Sequence, residues 1–94
     1  MGSNMISVTE MVGYVAATLT TVSFLPQAIL TIRTRDTSSL SLSMYSIFTL
    51  GVLCWLIYGL YISDKAIIAA NAITFILAGI ILIYKIYNVL AKKN

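Results

Sequence analysis

The chain has 94 residues, of which 60% are hydrophobic and 10% are charged. Soluble domains carry about 25% charged residues, so a soluble fold of this length would leave a large apolar surface in water. The net charge is +3, but the basic residues stand at the ends of apolar stretches. This placement is typical of membrane orientation signals and not of nucleic-acid binding. The composition therefore favours one small integral membrane domain.

The side chains that carry most enzyme and metal chemistry are scarce. The sequence contains no His and a single Cys, Cys54, within an apolar run. A disulfide within one chain and a Cys/His metal site are therefore excluded. No nucleophile–base pair is recognisable, so we expect neither an enzyme nor a bound cofactor or metal.

The N-terminus contains a short segment that we exclude from the fold. Residues 1–4 precede a second Met and resemble a remnant of an expression vector, which leaves residues 5–94 as a single transmembrane domain. No basic n-region precedes the first apolar stretch, and no small-residue cleavage site follows it. We therefore interpret this stretch as a mature helix and not as a signal peptide.

Three apolar stretches predict three transmembrane helices, at about residues 9–32, 43–62 and 65–90. Each has about 20 residues or slightly more, which at about 1.5 Å per residue gives roughly 30 Å, the thickness of the hydrocarbon core. Strands are not expected, because a barrel needs shorter alternating segments and many more of them. The predicted fold class is an all-α membrane bundle.

The two connections between the helices differ in length. The first is a polar loop that ends in a Ser-x-Ser pattern, Ser41 and Ser43, which can cap the second helix. The second is a very short turn in which Asp64 can cap the third helix. Three glycines in the apolar stretches are expected to allow close approach of the helices. They are Gly51, Gly59 and Gly79.

The basic residues predict the orientation of the chain. Arg33 and Arg35 follow the first helix, and Lys92 and Lys93 follow the third, so both groups lie on one side of the membrane. The positive-inside rule places that side in the cytoplasm and the N-terminus outside. Lys85, about two turns before the end of the third helix, can snorkel.

Pro26 and Gln27 lie inside the first helix. Proline removes a backbone hydrogen bond and clashes with the carbonyl of Val22, so a kink is expected. The kink is either static, with Gln27 bonded to a neighbouring helix, or a hinge that opens one side of the bundle. Bulky side chains at the cytoplasmic end of the second helix are candidates for a closed gate or for core packing. They are Met44, Tyr45 and Phe48.

Trp55 in the second helix and Asn71 in the third are each eight residues from Ser63 in the short turn. Two helices that leave one tight turn carry them to about the same depth, roughly 10 Å below the outer surface. A sugar ring stacks its C–H face on an aromatic side chain and gives its hydroxyls to an amide. The pair is therefore a candidate solute site. The alternative is that Trp55 and Asn71 serve helix packing only.

No carboxylate lies deep in a predicted helix. Glu10 stands at a helix end, and Asp36 and Asp64 lie in the connections. A small proton-coupled transporter needs a titratable group within the membrane. The sequence therefore favours passive movement of a neutral solute.

Three motifs together resemble the SemiSWEET proteins, the bacterial half-size relatives of SWEET sugar transporters in the PQ-loop group. They are Phe24-Leu25-Pro26-Gln27, then Trp55-Leu56-Ile57-Tyr58-Gly59, then Asp64 followed by Ala70-Asn71. The resemblance implies a parallel homodimer of six helices in the bacterial inner membrane, with the third helix between the first and second of each protomer. It also implies facilitated diffusion of mono- or disaccharides by alternating access.

The family pattern implies a role for particular residues. Trp55 and Asn71 of both protomers would line the central pocket, and Pro26 with Gln27 would form the hinge. Tyr58 and Asp64 would close the extracellular side of the dimer.

One position departs from the family pattern. Ile62 stands where related proteins often have Arg, two residues before Asp64, so an Arg–Asp contact in the outer gate is not available. Lys65, or a hydrogen bond between Tyr58 and Asp64 across the dimer, would have to replace it. Two other functions stay open: a PQ-loop transporter of another solute, such as an amino acid, and a membrane interaction subunit that transports nothing.

Overall fold

Three α-helices make up most of the computed structural model, which describes residues 7–93. They are α1 Val8–Thr34, α2 Leu42–Ile62 and α3 Lys65–Leu90. No strand occurs within residues 7–93. The predicted all-α class with three helices is confirmed, and α1 begins one residue earlier and ends two residues later than expected. The predicted vector remnant, residues 1–4, lies outside the described residues.

All three helices are long and apolar enough to cross a membrane. They have 27, 21 and 26 residues, which corresponds to roughly 40, 30 and 40 Å at about 1.5 Å per residue. Most of their large apolar side chains are exposed in the single chain. Lipid stabilises such a surface and water does not, so this is a multi-pass membrane protein.

The polar connections fix where α2 and α3 begin. Ser41 Oγ accepts a hydrogen bond from the N–H of Met44 at 3.3 Å. The Asp64 carboxylate accepts one from the N–H of Ile67 at 3.0 Å. Both caps satisfy N–H groups that the helix itself leaves without an acceptor, as the sequence predicted. Ser63, with a φ of 56°, ends α2 in the left-handed conformation and makes the turn tight.

Helix α3 lies between α1 and α2. It packs against both, whereas no Cα–Cα distance between the described residues of α1 and α2 is 8 Å or less. The helix order is therefore 1-3-2. The Cα atoms extend over 55 × 24 × 15 Å. Because α3 lies in the middle and α1 and α2 on either side, we call the three helices together the layer.

The buried core lies towards one end of this layer. We call this the loop end, because it carries the α1–α2 loop and the end of α3, and we call the opposite end, with Ser63 and Asp64, the turn end. The core joins all three helices through one residue of α1, one of α2 and two of α3. They are Ala28, Tyr45, Ala78 and Ile81.

Gly59 allows α2 and α3 to approach closely beside the turn. A Cβ at this position would stand 2.7 Å from Cγ2 of Ile67 and 3.3 Å from Cγ1 of Ile68. The predicted close approach is confirmed here. It does not occur at Gly51 or Gly79 within one chain, where a Cβ would meet no heavy atom within 4 Å. Neither of these two glycines faces another helix of the layer.

Lys85 does not snorkel, and this prediction is wrong. Its side chain is only 6% exposed, and Nζ donates to the carbonyl of Thr37 at 2.9 Å. The reason is that the α1–α2 loop folds over α3 and brings a carbonyl within reach. Asn88 Nδ2 also donates to the Arg35 carbonyl and to Thr37 Oγ1, both at 3.0 Å. We call Thr37, Lys85 and Asn88 the loop anchor.

Candidate functional site

An open cavity of about 570 Å³ lies beside Trp55, between α2 and the start of α3. Its walls are Gly51, Cys54, Trp55, Tyr58 and Ile67. The rings of Trp55 and Tyr58, one turn apart on α2, meet edge to face with centroids 5.7 Å apart and planes at 83°. Their side chains are 55% and 51% exposed. Because Gly51 has no side chain, the surface one turn before Trp55 stays open.

Asn71 lies on α3, one turn beyond Ile67. Its Nδ2 donates to the Ile67 carbonyl at 2.9 Å, and the side chain is half-buried. This bond uses one of the two amide protons, so the oxygen and the other proton can still bind a ligand. Asn71 does not line the cavity beside Trp55 in the single chain. Ile67 does line it, and the carbonyl of Ile67 is hydrogen-bonded to Asn71. The joint binding of one solute by Trp55 and Asn71 remains a prediction.

The chemistry of this surface suits an uncharged ligand. It offers the rings of Trp55 and Tyr58 and the hydroxyl of Tyr58, and the amide of Asn71 lies one turn beyond Ile67 on α3. The carboxylates of Glu10 and Asp64 lie at the turn end, in the first turn of α1 and at the cap of α3. Within residues 7–93, no three His, Cys, Asp or Glu side chains are grouped as metal ligands would be. The side chains that line this surface carry no charge, and a hydroxyl-rich ring can stack on the aromatic rings and hydrogen-bond to the amide.

Pro26 lies within the continuous helix α1. The carbonyl of Val22 lacks its usual donor because proline has no N–H, so the helix loses one internal hydrogen bond here. Pro26 and Gln27 are exposed, but Gln27 also lines a small cavity of about 120 Å³ together with the core residue Tyr45. Ala28, the next residue, is fully buried. The part of α1 after Pro26 is thus fixed in the core, and the hinge remains a prediction.

The three candidate gate residues at the loop end have different environments. Tyr45 is buried in the core, whereas Met44 and Phe48 are exposed. The Phe48 ring lies 5.6 Å from the Tyr45 ring and 6.3 Å from the Phe24 ring of α1. Tyr45 therefore fits the core interpretation. Met44 and Phe48 are accessible in the single chain, as a gate would require.

The candidate outer gate lies at the turn end. The ring of Tyr58 meets that of Trp55 edge to face, and the carboxylate of Asp64 caps α3. No hydrogen bond joins Tyr58 to Asp64 in the part of the chain that the structure describes. Ile62 and Lys65 are both exposed. A closing contact between Tyr58 and Asp64 would therefore need a second copy, and it stays a prediction.

The sequence-based reasoning missed the loop anchor. The available signal was the spacing of Lys85 and Asn88, which stand three residues apart on one face of an apolar helix and so need polar partners. The loop is ordered further by Asp36, whose Oδ1 accepts from the hydroxyl of Ser38 at 2.7 Å and from its N–H at 3.0 Å. These two bonds hold the pKa of Asp36 below its ordinary value.

The chain matches known sequences over most of its length. The PQ loop repeat family matches residues 8–66. The sugar transporter SemiSWEET of Leptospira biflexa is 50% identical over 77 residues, which are 82% of this chain and 91% of that protein. The sugar transporter SemiSWEET of Bradyrhizobium diazoefficiens is 46% identical over 77 residues, which are 82% of this chain and 90% of that protein.

The fold is also found in a crystal structure of a SemiSWEET in the inward-open conformation. The two superimpose with a TM-score of 0.85 at 40% sequence identity, over 93% of this chain and 94% of that chain. The match therefore extends over all three helices in the same order. By sequence and by fold, the chain belongs to the SemiSWEET group of the PQ-loop family.

Proposed function

We propose that the protein is a sugar transporter that moves mono- or disaccharides down their gradient. The observation that carries this proposal is the half-exposed Trp55, which meets Tyr58 edge to face in an open cavity of a membrane-spanning bundle. Ile67, which also lines this cavity, accepts a hydrogen bond from the amide of Asn71 one turn further along α3. The relatives that are 50% and 46% identical are named sugar transporters, and transporters are not enzymes. No resident cofactor or metal is needed for such transport.

The transport path requires a second copy of the chain. Helix α3 separates α1 from α2, and the few side-chain contacts between those two lie at the loop end, so one copy does not enclose a path for a solute. Two layers that face each other around an axis along the membrane normal create one, with the same surface contributed by each copy. The two Trp55 surfaces would then face a shared central pocket.

The transport cycle follows from the unequal packing of the two ends. Beyond Pro26, α1 is held in the core by Ala28, whereas the missing hydrogen bond at Val22 lets the rest of the helix bend. Bending would open one end of the dimer while the other end closes. Tyr58 and Asp64 would close the turn end, and the bulky residues at the start of α2 would close the loop end.

The proposal includes the orientation of the chain in the membrane and the identity of that membrane. Arg33, Arg35, Lys92 and Lys93 all lie at the loop end. The positive-inside rule then places the loop end in the cytoplasm and the N-terminus outside. The relatives reported above are bacterial, which supports the inner membrane as the location.

Sugar uptake into proteoliposomes tests the proposed solute. We expect saturable uptake by the wild type and a large loss for Trp55→Ala and for Asn71→Ala. Ile76→Ala is the matched control, because this exposed residue is five positions after Asn71 and lies about 140° away around α3. Uptake no faster than in protein-free liposomes would contradict the proposal. Competition of uptake by amino acids would indicate the other solute class.

The single cysteine tests the dimer. Cys54 is exposed and lines the cavity beside Trp55, so it lies on the face that we assign to the second copy. A bifunctional thiol reagent should yield a cross-linked dimer in membranes, and Cys54→Ser should abolish it. Ile76→Cys in the Cys54→Ser background should give little dimer. A protein that is monomeric in detergent and gives no Cys54 cross-link would support the non-transporting alternative.

A further inference from the structure

A polar cavity of about 510 Å³ lies at the loop end, between α1 and α3. Its lining includes Arg35, Ile83, Tyr84, Tyr87, Asn88 and Lys93. Tyr84 and Tyr87 are 13 and 16 residues after Asn71, which at about 100° per residue is roughly 140° and 160° around α3. The cavity therefore opens on the face of the layer opposite Asn71. In the proposed dimer, that face meets lipid.

Two cations are held at the wall of this cavity by tyrosine rings. The guanidinium of Arg35 lies 5.3 Å from the centroid of the Tyr84 ring, and Nζ of Lys93 lies 5.1 Å from that of Tyr87. Neither cation is within 4.0 Å of a carboxylate oxygen of residues 7–93. A cation–π contact uses the ring face and leaves N–H groups of the cation to bind an anion.

The backbone that carries Arg35 is fixed from inside the protein. Asn88 Nδ2 donates to the Arg35 carbonyl at 3.0 Å, and Arg35 itself has a φ of 57° at the end of α1. The side chain of Asn88 is buried and bonds the buried Thr37 as well. The backbone at Arg35, from which one of the two cationic side chains extends, is therefore held by the loop anchor.

We propose that this cavity binds the phosphate headgroup of an anionic glycerophospholipid. The guanidinium of Arg35 can hold two phosphate oxygens and Lys93 a third, with the tyrosine hydroxyls at headgroup level. The acyl chains would run along the exposed apolar surface of α3 at Ile83 and Ile76. Basic pockets between transmembrane helices on the cytoplasmic side are suited to such headgroups.

The bound lipid would tie the ends of two helices together. Arg35 follows α1 and Lys93 follows α3, so one phosphate that binds both would bridge them at the loop end. This inference concerns the lipid-facing surface and does not depend on which solute the protein transports.

Native mass spectrometry of the purified protein with added phosphatidylglycerol or phosphatidylcholine tests the site. We expect the wild type to retain phosphatidylglycerol in preference, and the double variant R35Q/K93Q to bind it roughly tenfold more weakly. The matched control is R33Q/K92Q, which removes the same charge from the same end but alters no residue that lines the cavity. This control should retain the preference for phosphatidylglycerol.

Three outcomes would overturn the proposal. An equal loss in both double variants would indicate general attraction by surface charge, and no preference of the wild type for phosphatidylglycerol would exclude the site. If free glycerol phosphate, added at the same concentration as the lipid, displaced phosphatidylglycerol, the ligand of the cavity would be a soluble anion. Because R35Q/K93Q could lose its fold, its circular dichroism is compared with that of the wild type. If it is unfolded, the single variants R35Q and K93Q, each of which should weaken phosphatidylglycerol binding, replace it in the comparison with R33Q/K92Q.

Discussion

Nζ of Lys85 donates a hydrogen bond of 2.9 Å to the carbonyl of Thr37, a residue 48 positions earlier in the chain. Thr37 is fully buried and Lys85 nearly so. The bond joins the α1–α2 loop to α3 beside the core. The end of α1, the loop and the end of α3 are therefore expected to move as one unit when α1 bends at Pro26.

Replacing Lys85 by Met keeps much of the apolar side chain and removes the donor. We expect Lys85→Met to lower the free energy of unfolding by about 2 kcal/mol, because a buried carbonyl loses a charged hydrogen-bond partner. The measurement is denaturant unfolding in detergent, followed by circular dichroism. Lys92→Met, at an exposed position, is the control and should unfold like the wild type. Equal stability of Lys85→Met and wild type would show that the bond contributes nothing.

Gly59→Ala is expected to destabilise the protein by about 1–3 kcal/mol through overpacking. The new methyl group would stand 2.7 Å from Cγ2 of Ile67, and a β-branched side chain cannot move away easily. Gly79→Ala is the matched control, since a Cβ there meets no heavy atom within 4 Å and alanine favours the helix. The same unfolding measurement compares the two. A neutral Gly59→Ala would contradict the close helix approach.

Pro26→Ala is expected to slow sugar transport more than it weakens folding. Alanine restores the N–H that can bond the Val22 carbonyl, so the helix becomes straighter and stiffer. Initial uptake rates in proteoliposomes and unfolding in detergent are compared for the same preparation. Transport at the wild-type rate would exclude Pro26 as a hinge.

Sugar flux is expected to vary by less than about twofold between pH 6 and 8. The carboxylates of Glu10 and Asp64 lie at helix ends, and Asp36 lies in an exposed loop. The hydrogen bonds from Ser38 lower the pKa of Asp36 below 3.8. The contribution of these hydrogen bonds to the stability of the fold is present at higher pH. It is lost only as the pH falls through the lowered pKa of Asp36, well below the tested range.

The measurement for this prediction is initial uptake into proteoliposomes with equal pH on both sides, so that no proton gradient drives transport. Protein-free liposomes at each pH give the leak. A steep change of flux within this range would require a titratable group in the transport path and would favour proton coupling.

Much of the fold is encoded in local sequence features. The length and apolarity of the three stretches predicted the helices, and Ser41 and Asp64 marked the starts of two of them. The tight turn at Ser63 follows from the short connection. The order 1-3-2 came from family resemblance and is borne out by the contacts of α3.

The contacts between distant residues could not be predicted in the same way. Lys85 was expected at the membrane surface because snorkelling is the usual solution for a lysine near a helix end. Its actual partner is a backbone carbonyl of the loop, which carries no sequence signal. Likewise, Gly59 meets another helix and Gly51 does not, although both lie in the same apolar stretch, because only the position of α3 distinguishes them.

The most direct test of a shared sugar pocket uses the intrinsic fluorescence of Trp55, the only Trp in the chain. Sugar is titrated into the purified protein in detergent. The control is Ile76→Ala, whose Trp55 emission should respond to sugar as in the wild type. We predict a saturable change in Trp55 emission for the wild type, and its loss in Asn71→Ala. An emission that stays constant at sugar concentrations that saturate uptake would contradict the binding of the sugar at Trp55.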